Sequence, residues 1–84
     1  MAWLRQHWEG VHIVAVAHVC SAPRGFRIRL SEGEGIFCQS HENGNHYSSR
    51  DVAFGAADTL VRHRSGGHEC RERCGGWIPA DQVC

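Results

Sequence analysis

One segment in the second half of the chain combines the signals expected of an amphipathic α-helix. Ser48 or Ser49 can cap its start, and Asp51 places a carboxylate in the first turn, near the positive end of the helix dipole. Arg64 lies in the last turn, and the two glycines that follow can adopt the left-handed conformation that ends a helix. The sequence therefore predicts a helix over about 49–64.

The predicted helix carries its apolar side chains on one side. At 100° per residue, its valines, alanines and leucine fall on one broad arc, and its polar residues fall on the other. The residues expected to be buried, partly or wholly, are Val52, Phe54, Ala57, Leu60 and Val61. Such a helix must cover a second hydrophobic layer.

Strand-like runs flank the helix and supply that layer. Residues 11–19 carry Val and Ile on both faces, as in a strand inside a sheet, and residues 26–30 alternate between apolar side chains and Arg. A short run at 36–39 follows, and a weaker one at 68–73 comes after the helix. The order β-β-β-α-β predicts an α+β fold, with a three- to four-stranded antiparallel sheet and one amphipathic helix packed on one face.

Length and charge limit the function classes. Eighty-four residues make one domain, 11–84, which an aromatic arm at 1–10 precedes. The net charge is zero, which argues against a purely electrostatic nucleic-acid binder. No secretory signal is recognised, and the apolar run at 11–19 is too short to span a membrane. We therefore expect a cytoplasmic protein whose five cysteines are thiols or metal ligands.

The order of short motifs resembles a known family. In chain order the motifs are Gly25-Phe26-x-Ile28, Ser49-x-x-x-Ala53, Gly66-Gly67 and Gly76-x-Ile78. Over residues 11–79 this pattern resembles the bacterial family called domain of unknown function 2188 and is similar to the YegP-like ββα repeats. The resemblance implies the fold and no activity, because the function of that family is unknown. The loop over 39–47 is longer here, and Cys38, His41, Cys70 and Cys74 are not part of the family pattern.

Histidine and cysteine residues suggest a metal site. A Cys-x2-His pair ends the predicted third strand, and a Cys-x3-Cys pair follows the helix. A structural zinc ion takes four nitrogen or sulfur ligands in a tetrahedron, which two such pairs can supply. The predicted ligands are Cys38, His41, Cys70 and Cys74, with His46 or His68 as substitutes. The alternative is that these are small buried thiols and solvated histidines.

No catalytic signature accompanies these residues. His41 or His46 could activate Cys38 as a nucleophile, but no known motif surrounds them. Carboxylates paired for acid–base chemistry are also absent as a pattern, and a layer this small offers little pocket. The sequence therefore predicts a protein that is not an enzyme.

Aromatic and arginine residues are the candidate partner-binding groups. Trp3 and Trp8 lie outside the predicted β-β-β-α-β unit, where they would anchor a protein partner or a second copy, or would cover an open face of their own sheet. Two predicted strands carry arginines at every second position, which would either grip phosphate or an acidic partner or form an ordinary charged surface. These arginines are Arg27, Arg29, Arg71 and Arg73.

The pattern as a whole favours a small protein–protein interaction module, such as an inhibitor or an adaptor. A phage or mobile-element protein that acts against a host defence system is one specific case. The alternative is a zinc-stabilised regulatory domain that binds nucleic acid. A protein partner is favoured over nucleic acid, self-association is one form of it, and no membrane contact is expected.

Overall fold

The computed structural model describes residues 1–33 and 39–80, and within them one α-helix covers one face of a five-stranded antiparallel sheet. The elements are β1 (Ala2–Glu9), β2 (His12–Ala22), β3 (Gly25–Glu32), β4 (Gln39–His41), α1 (Arg50–Arg64), a 3₁₀ turn (Glu72–Cys74) and β5 (Ile78–Pro79). The strand order across the sheet is β4-β3-β2-β1-β5. The predicted α+β class is confirmed, with more strands than expected.

The N-terminal segment is a strand of the sheet and not the predicted arm. Strand β1 pairs with β2 along its whole length on one side and with β5 on the other. Its residues that face the helix are Trp3, Arg5 and His7, which stand opposite Val19, Ala17 and Ala15 of β2. Because two of these three inward positions are polar, the apolar alternation that marks a half-buried strand does not appear in the sequence.

The core lies between α1 and the central strands. Strands β2 and β3 confirm the two predicted strands at 11–19 and 26–30. The buried members of the core cluster are Trp3, Ala15, Ala17, Val19, Ile28, Leu30, Ala53, Ala57 and Val61. Small alanines on both β2 and α1 allow the helix to approach the sheet closely, so the larger β3 side chains fill the space beside them.

Both ends of α1 are capped as the sequence predicts. The Ser49 hydroxyl accepts a hydrogen bond from the Val52 N–H at 3.2 Å. At the other end Gly66 adopts a left-handed φ of 79°, and the Gly67 N–H donates to the Arg62 carbonyl at 2.8 Å. These contacts form a Schellman-type end, which satisfies carbonyls that the last turn leaves free.

The buried side of α1 is narrower than the predicted arc. Ala57 and Val61 are buried and Phe54 and Leu60 are partly buried, in agreement with the prediction. Val52, also predicted to be buried, is 52% exposed. The buried line runs through Ala53, Ala57 and Val61, and Val52 lies about 140° from the centre of that line at 100° per residue.

Replacing Ser49 with Ala should lower the free energy of unfolding by about 1 kcal/mol, because one N–H of the first turn loses its acceptor. Urea denaturation measures this change. Ser48→Ala is the matched control, since Ser48 lies one residue outside the cap. Equal losses in the two variants would show that the Ser49 hydroxyl does not cap the helix.

The segment after the helix differs from the prediction. Residues 68–73 were expected to form a strand, but the chain there is irregular and continues into the 3₁₀ turn at Glu72–Cys74. The free edge of β1 is taken by β5 instead, through the pair Leu4↔Ile78. Of the predicted strand at 36–39, only Gln39 lies in the described residues, where it begins β4.

Candidate metal centre

Four side chains converge beside the end of β1. They are His7, His68, Cys70 and Cys74, and their nitrogen and sulfur ligand atoms all lie within 4.8 Å of one another. His7 belongs to β1, Cys74 to the 3₁₀ turn, and the other two to the irregular segment after α1. The four residues lie close enough to hold one metal ion.

The local backbone explains how these side chains meet. The register of β1 against β2 shifts between His7 and Trp8, and such an irregularity re-aims the neighbouring side chains. After the helix, the His68 N–H donates a hydrogen bond to the Ser65 hydroxyl at 3.0 Å, which fixes the start of the ligand segment. The 3₁₀ turn then buries Cys74 against β1.

The distances between ligand atoms are short and similar. The Cys70 Sγ lies 3.3 Å from the His7 Nδ1 and 3.8 Å from the His68 Nε2. The Cys74 Sγ lies 3.6 Å from the same His68 nitrogen. The two imidazole rings meet edge to face, with 5.5 Å between their centroids. The donor atoms thus surround a common centre instead of forming separate pairs.

Burial keeps His7 in the form that binds metals. Its ring is fully buried, and this burial, together with the nearby charges of Arg5 and His68, lowers the pKa of His7 to about 4. At neutral pH the ring is therefore uncharged, with one nitrogen free to act as a ligand. His68 and Cys74 are buried as well, whereas Cys70 is exposed and marks the side of the cluster that faces water.

The two sulfur atoms have different surroundings. The Trp8 backbone N–H points to the Cys74 Sγ at 3.3 Å, and the same sulfur lies 3.7 Å from the Trp8 carbonyl oxygen. Although residue Cys70 is exposed, its sulfur is partly shielded from water, and this raises the pKa of the thiol, while the positive charge of Arg5 lowers it. A bound metal cation would be the largest charge in the site. It would therefore outweigh these effects and deprotonate both thiols.

The structure brings together only part of the predicted ligand set. Cys70 and Cys74 belong to the cluster, as does His68, which the sequence offered as a substitute. Cys38 lies outside the described residues, and His46 is exposed in the loop before α1.

His41 stands apart from the cluster on β4, where it contacts Arg64 at 2.8 Å. Strand β4 is three strand spacings from β1, which is about 14 Å.

His7 is the ligand that the sequence analysis missed. The prediction joined the segment after the helix to the end of the β3–β4 hairpin, because residues 1–10 were not counted as a strand. Because β1 lies between β2 and β5, the segment after the helix lies at the opposite edge of the sheet from β4. The signal was present as Trp3-x-Arg5-x-His7, whose period of two places His7 on the same face as a tryptophan.

The predicted tryptophan anchors occupy different environments. Trp3 is a core residue, 8% exposed, with its ring 6.0 Å from Phe26 and 5.8 Å from Phe54. It is therefore covered by its own fold, one of the two outcomes that the sequence left open. Trp8 is partly buried under Arg73, whose guanidinium lies 4.8 Å from the ring centroid.

The four candidate arginines fall into two separate pairs. Arg27 and Arg29 lie on β3, on the face of the sheet opposite the helix, since Ile28 between them is in the core. Arg71 lies in the irregular segment after the helix and Arg73 lies in the 3₁₀ turn, and both line a cavity of about 480 Å³. Because residues 68–73 are not a strand, the pattern that suggested a shared arginine face does not apply to the second pair.

The cysteines do not all have the same bonding state, and none of the described helices fits a membrane. Cys70 and Cys74 are free, but Cys20 is disulfide-bonded, which differs from the expectation that every cysteine is a thiol or a ligand. No helix in residues 1–33 and 39–80 is long and apolar enough to cross a membrane.

Comparisons with known proteins found no relative of this chain. No protein-family model matches the chain, and no curated protein or solved structure is significantly similar to it. The resemblance to domain of unknown function 2188 therefore stays a prediction, and the functional argument rests on the geometry of the four-residue cluster.

Proposed function

We propose that this protein is a small, non-enzymatic zinc-binding domain in which the ion joins the segment after α1 to strand β1. The observation that carries the proposal is the convergence of two imidazole nitrogens and two thiol sulfurs on one centre, within 4.8 Å of one another. Mixed nitrogen and sulfur donors suit zinc, whereas calcium and magnesium take oxygen ligands.

The distances between donors fit a zinc tetrahedron. With Zn–S bonds of about 2.3 Å and Zn–N bonds of about 2.05 Å, tetrahedral geometry separates each sulfur from each nitrogen by about 3.6 Å. Three of the four sulfur–nitrogen distances are 3.3, 3.8 and 3.6 Å, and every pair of donors lies within 4.8 Å. An ion could therefore enter with only small side-chain movements.

The number of ligands favours a structural ion. Four protein ligands complete the coordination of zinc and leave no position for a substrate or an activated water. A domain of 84 residues buries a thin core, so such an ion would contribute substantially to folding. Its role would then be to present a stable surface to a protein partner, the function class that the sequence favours.

Zinc content tests the proposal. Protein purified without added metal or chelator should carry about one zinc per chain, measured by native mass spectrometry and elemental analysis. His7→Ala should lose the ion, because one ligand is removed from a closed site. His41→Ala is the matched control and should keep it, since His41 lies on β4 away from the cluster.

Two results would contradict the proposal. One is a wild-type protein that shows only the bare chain mass. The other is a His41→Ala variant that loses zinc while His7→Ala retains it, because that result would favour the ligand set predicted from the sequence over the cluster seen in the structure.

A further inference from the structure

We propose that Asp58 positions His7 to bind the metal through its Nδ1 atom, and that this contact couples helix α1 to the metal centre. The inference rests on the proposed zinc site and assigns a role to a residue that is not itself a ligand. Three observations support it: the contacts of the two His7 ring nitrogens, the contacts that hold Asp58, and the different contacts of His68.

The His7 ring has a ligand on one side and a carboxylate on the other. Its Nδ1 lies 3.3 Å from the Cys70 Sγ, and its Nε2 lies 3.6 Å from the Asp58 Oδ1. An imidazole that binds a metal through one nitrogen keeps its hydrogen on the other and donates it to an acceptor. Both the Nε2 and the Oδ1 are buried, and neither has a hydrogen-bond partner among the described residues. A contraction of about half an ångström would pair them.

Asp58 is held ready for this contact. Its Oδ2 accepts a hydrogen bond from the Arg5 Nη1 at 2.9 Å, the side chain of Trp77 also interacts with the carboxylate, and the Oδ1 lies 3.6 Å from the His7 Nε2. Arg5 lies two residues before His7 on the same face of β1. The side chains of Arg5 and Asp58 are only 17% and 30% exposed, so water screens this ion pair less than a surface pair. The carboxylate therefore ties the middle of α1 to the strand that carries the ligand.

His68 provides the internal comparison. Its ring is turned the other way: the Nε2 faces both sulfur atoms, and the Nδ1 lies 3.3 Å from the Glu9 Oε1. The Glu9 side chain is 60% exposed, so water can take its place as the acceptor. We therefore infer that the two histidines bind through different nitrogens, and that the shielded Asp58 matters more for affinity than the solvated Glu9.

Zinc affinity measured by competition with a chromophoric chelator tests the role of Asp58. Asp58→Asn should weaken zinc binding about 10- to 100-fold, as expected when the partner of a ligating histidine is altered. Glu9→Gln should weaken it less. Asp51→Asn is the matched control, because it makes the same change on the same helix at a side chain that is 86% exposed, and it should leave the affinity unchanged.

Nitrogen NMR of the wild-type zinc form gives a second readout that needs no variant. His7 should coordinate through Nδ1 and carry its proton on Nε2, and His68 should show the opposite pattern. Coordination of His7 through Nε2 would overturn the inference. An Asp58→Asn affinity equal to that of Asp51→Asn would also overturn it, even if Asp58→Asn melts at a lower temperature, because a merely structural role lowers stability alone.

Failure of the inference can be told from failure of the proposed function. If the wild-type protein binds zinc while Asp58→Asn binds it equally well, only the role of Asp58 is rejected. If the wild-type protein binds no zinc at all, the proposed function is rejected and the inference falls with it.

Discussion

Removing zinc is expected to lower the free energy of unfolding by about 4 kcal/mol or more. A ligand that binds only the folded state stabilises it by about 4.1 kcal/mol when its free concentration is 1,000 times its dissociation constant. The unfolded chain has no preformed site, because His7 and Cys70 are 63 positions apart in sequence. For a small domain, whose whole stability is about 5–15 kcal/mol, such a loss is a large fraction of the total.

Thermal unfolding with and without chelator measures this effect. Chelator should lower the melting temperature of the wild-type protein, and added zinc, but not magnesium, should restore it. Cys74→Ser should melt near the chelated wild type and should no longer respond to chelator, since it loses a buried ligand. A wild-type protein whose melting temperature is the same in both conditions would show that the ion does not support the fold.

Leu30→Ala should cost about 2–5 kcal/mol of unfolding free energy in the zinc-saturated protein. Leu30 is fully buried in β3, between Ala17 of β2 and His41 of β4. Its neighbour on β2 is already small, so little side-chain volume is available to fill the cavity. The cost should therefore include the cavity as well as the lost burial of the removed methyl groups.

Val52→Ala is the control for Leu30→Ala, because it also shortens an aliphatic side chain. Val52 is 52% exposed, so its truncation should change stability by no more than about 0.5 kcal/mol. Leu60→Ala should fall between the two, since Leu60 is partly buried against the core. Urea denaturation at one fixed zinc concentration measures all three. Similar losses in Leu30→Ala and Val52→Ala would contradict the burial seen in the structure.

The elements that could be predicted are those whose signals are local. Ser49 caps the helix and Gly66 ends it, and both act on residues within one turn of themselves. Strands β2 and β3 were equally readable, because their inward positions are uniformly apolar. Strand β1 was missed because Arg5 and His7 occupy inward positions, although it forms a hairpin with β2 across a short turn.

Part of the metal centre could also be predicted, because some of its ligands form a local sequence pattern. Cys70 and Cys74 form a short spacing that can be read directly, and His68 stands two residues away. The fourth ligand depends on which strand lies beside that segment, and this is a property of the sheet order and not of any short pattern. The choice of His41 over His7 follows from the misplacement of a single strand.

The position of His7 also has a consequence for the order of folding events. His68, Cys70 and Cys74 are close in sequence, whereas His7 lies 63 positions before Cys70 and joins them only after the chain between has folded back. Closing long loops is slow compared with forming helices and hairpins. We therefore expect α1 and the β1–β2 and β2–β3 hairpins to form early, and full coordination of the ion to report the last step, when the segment that follows the helix docks beside β1.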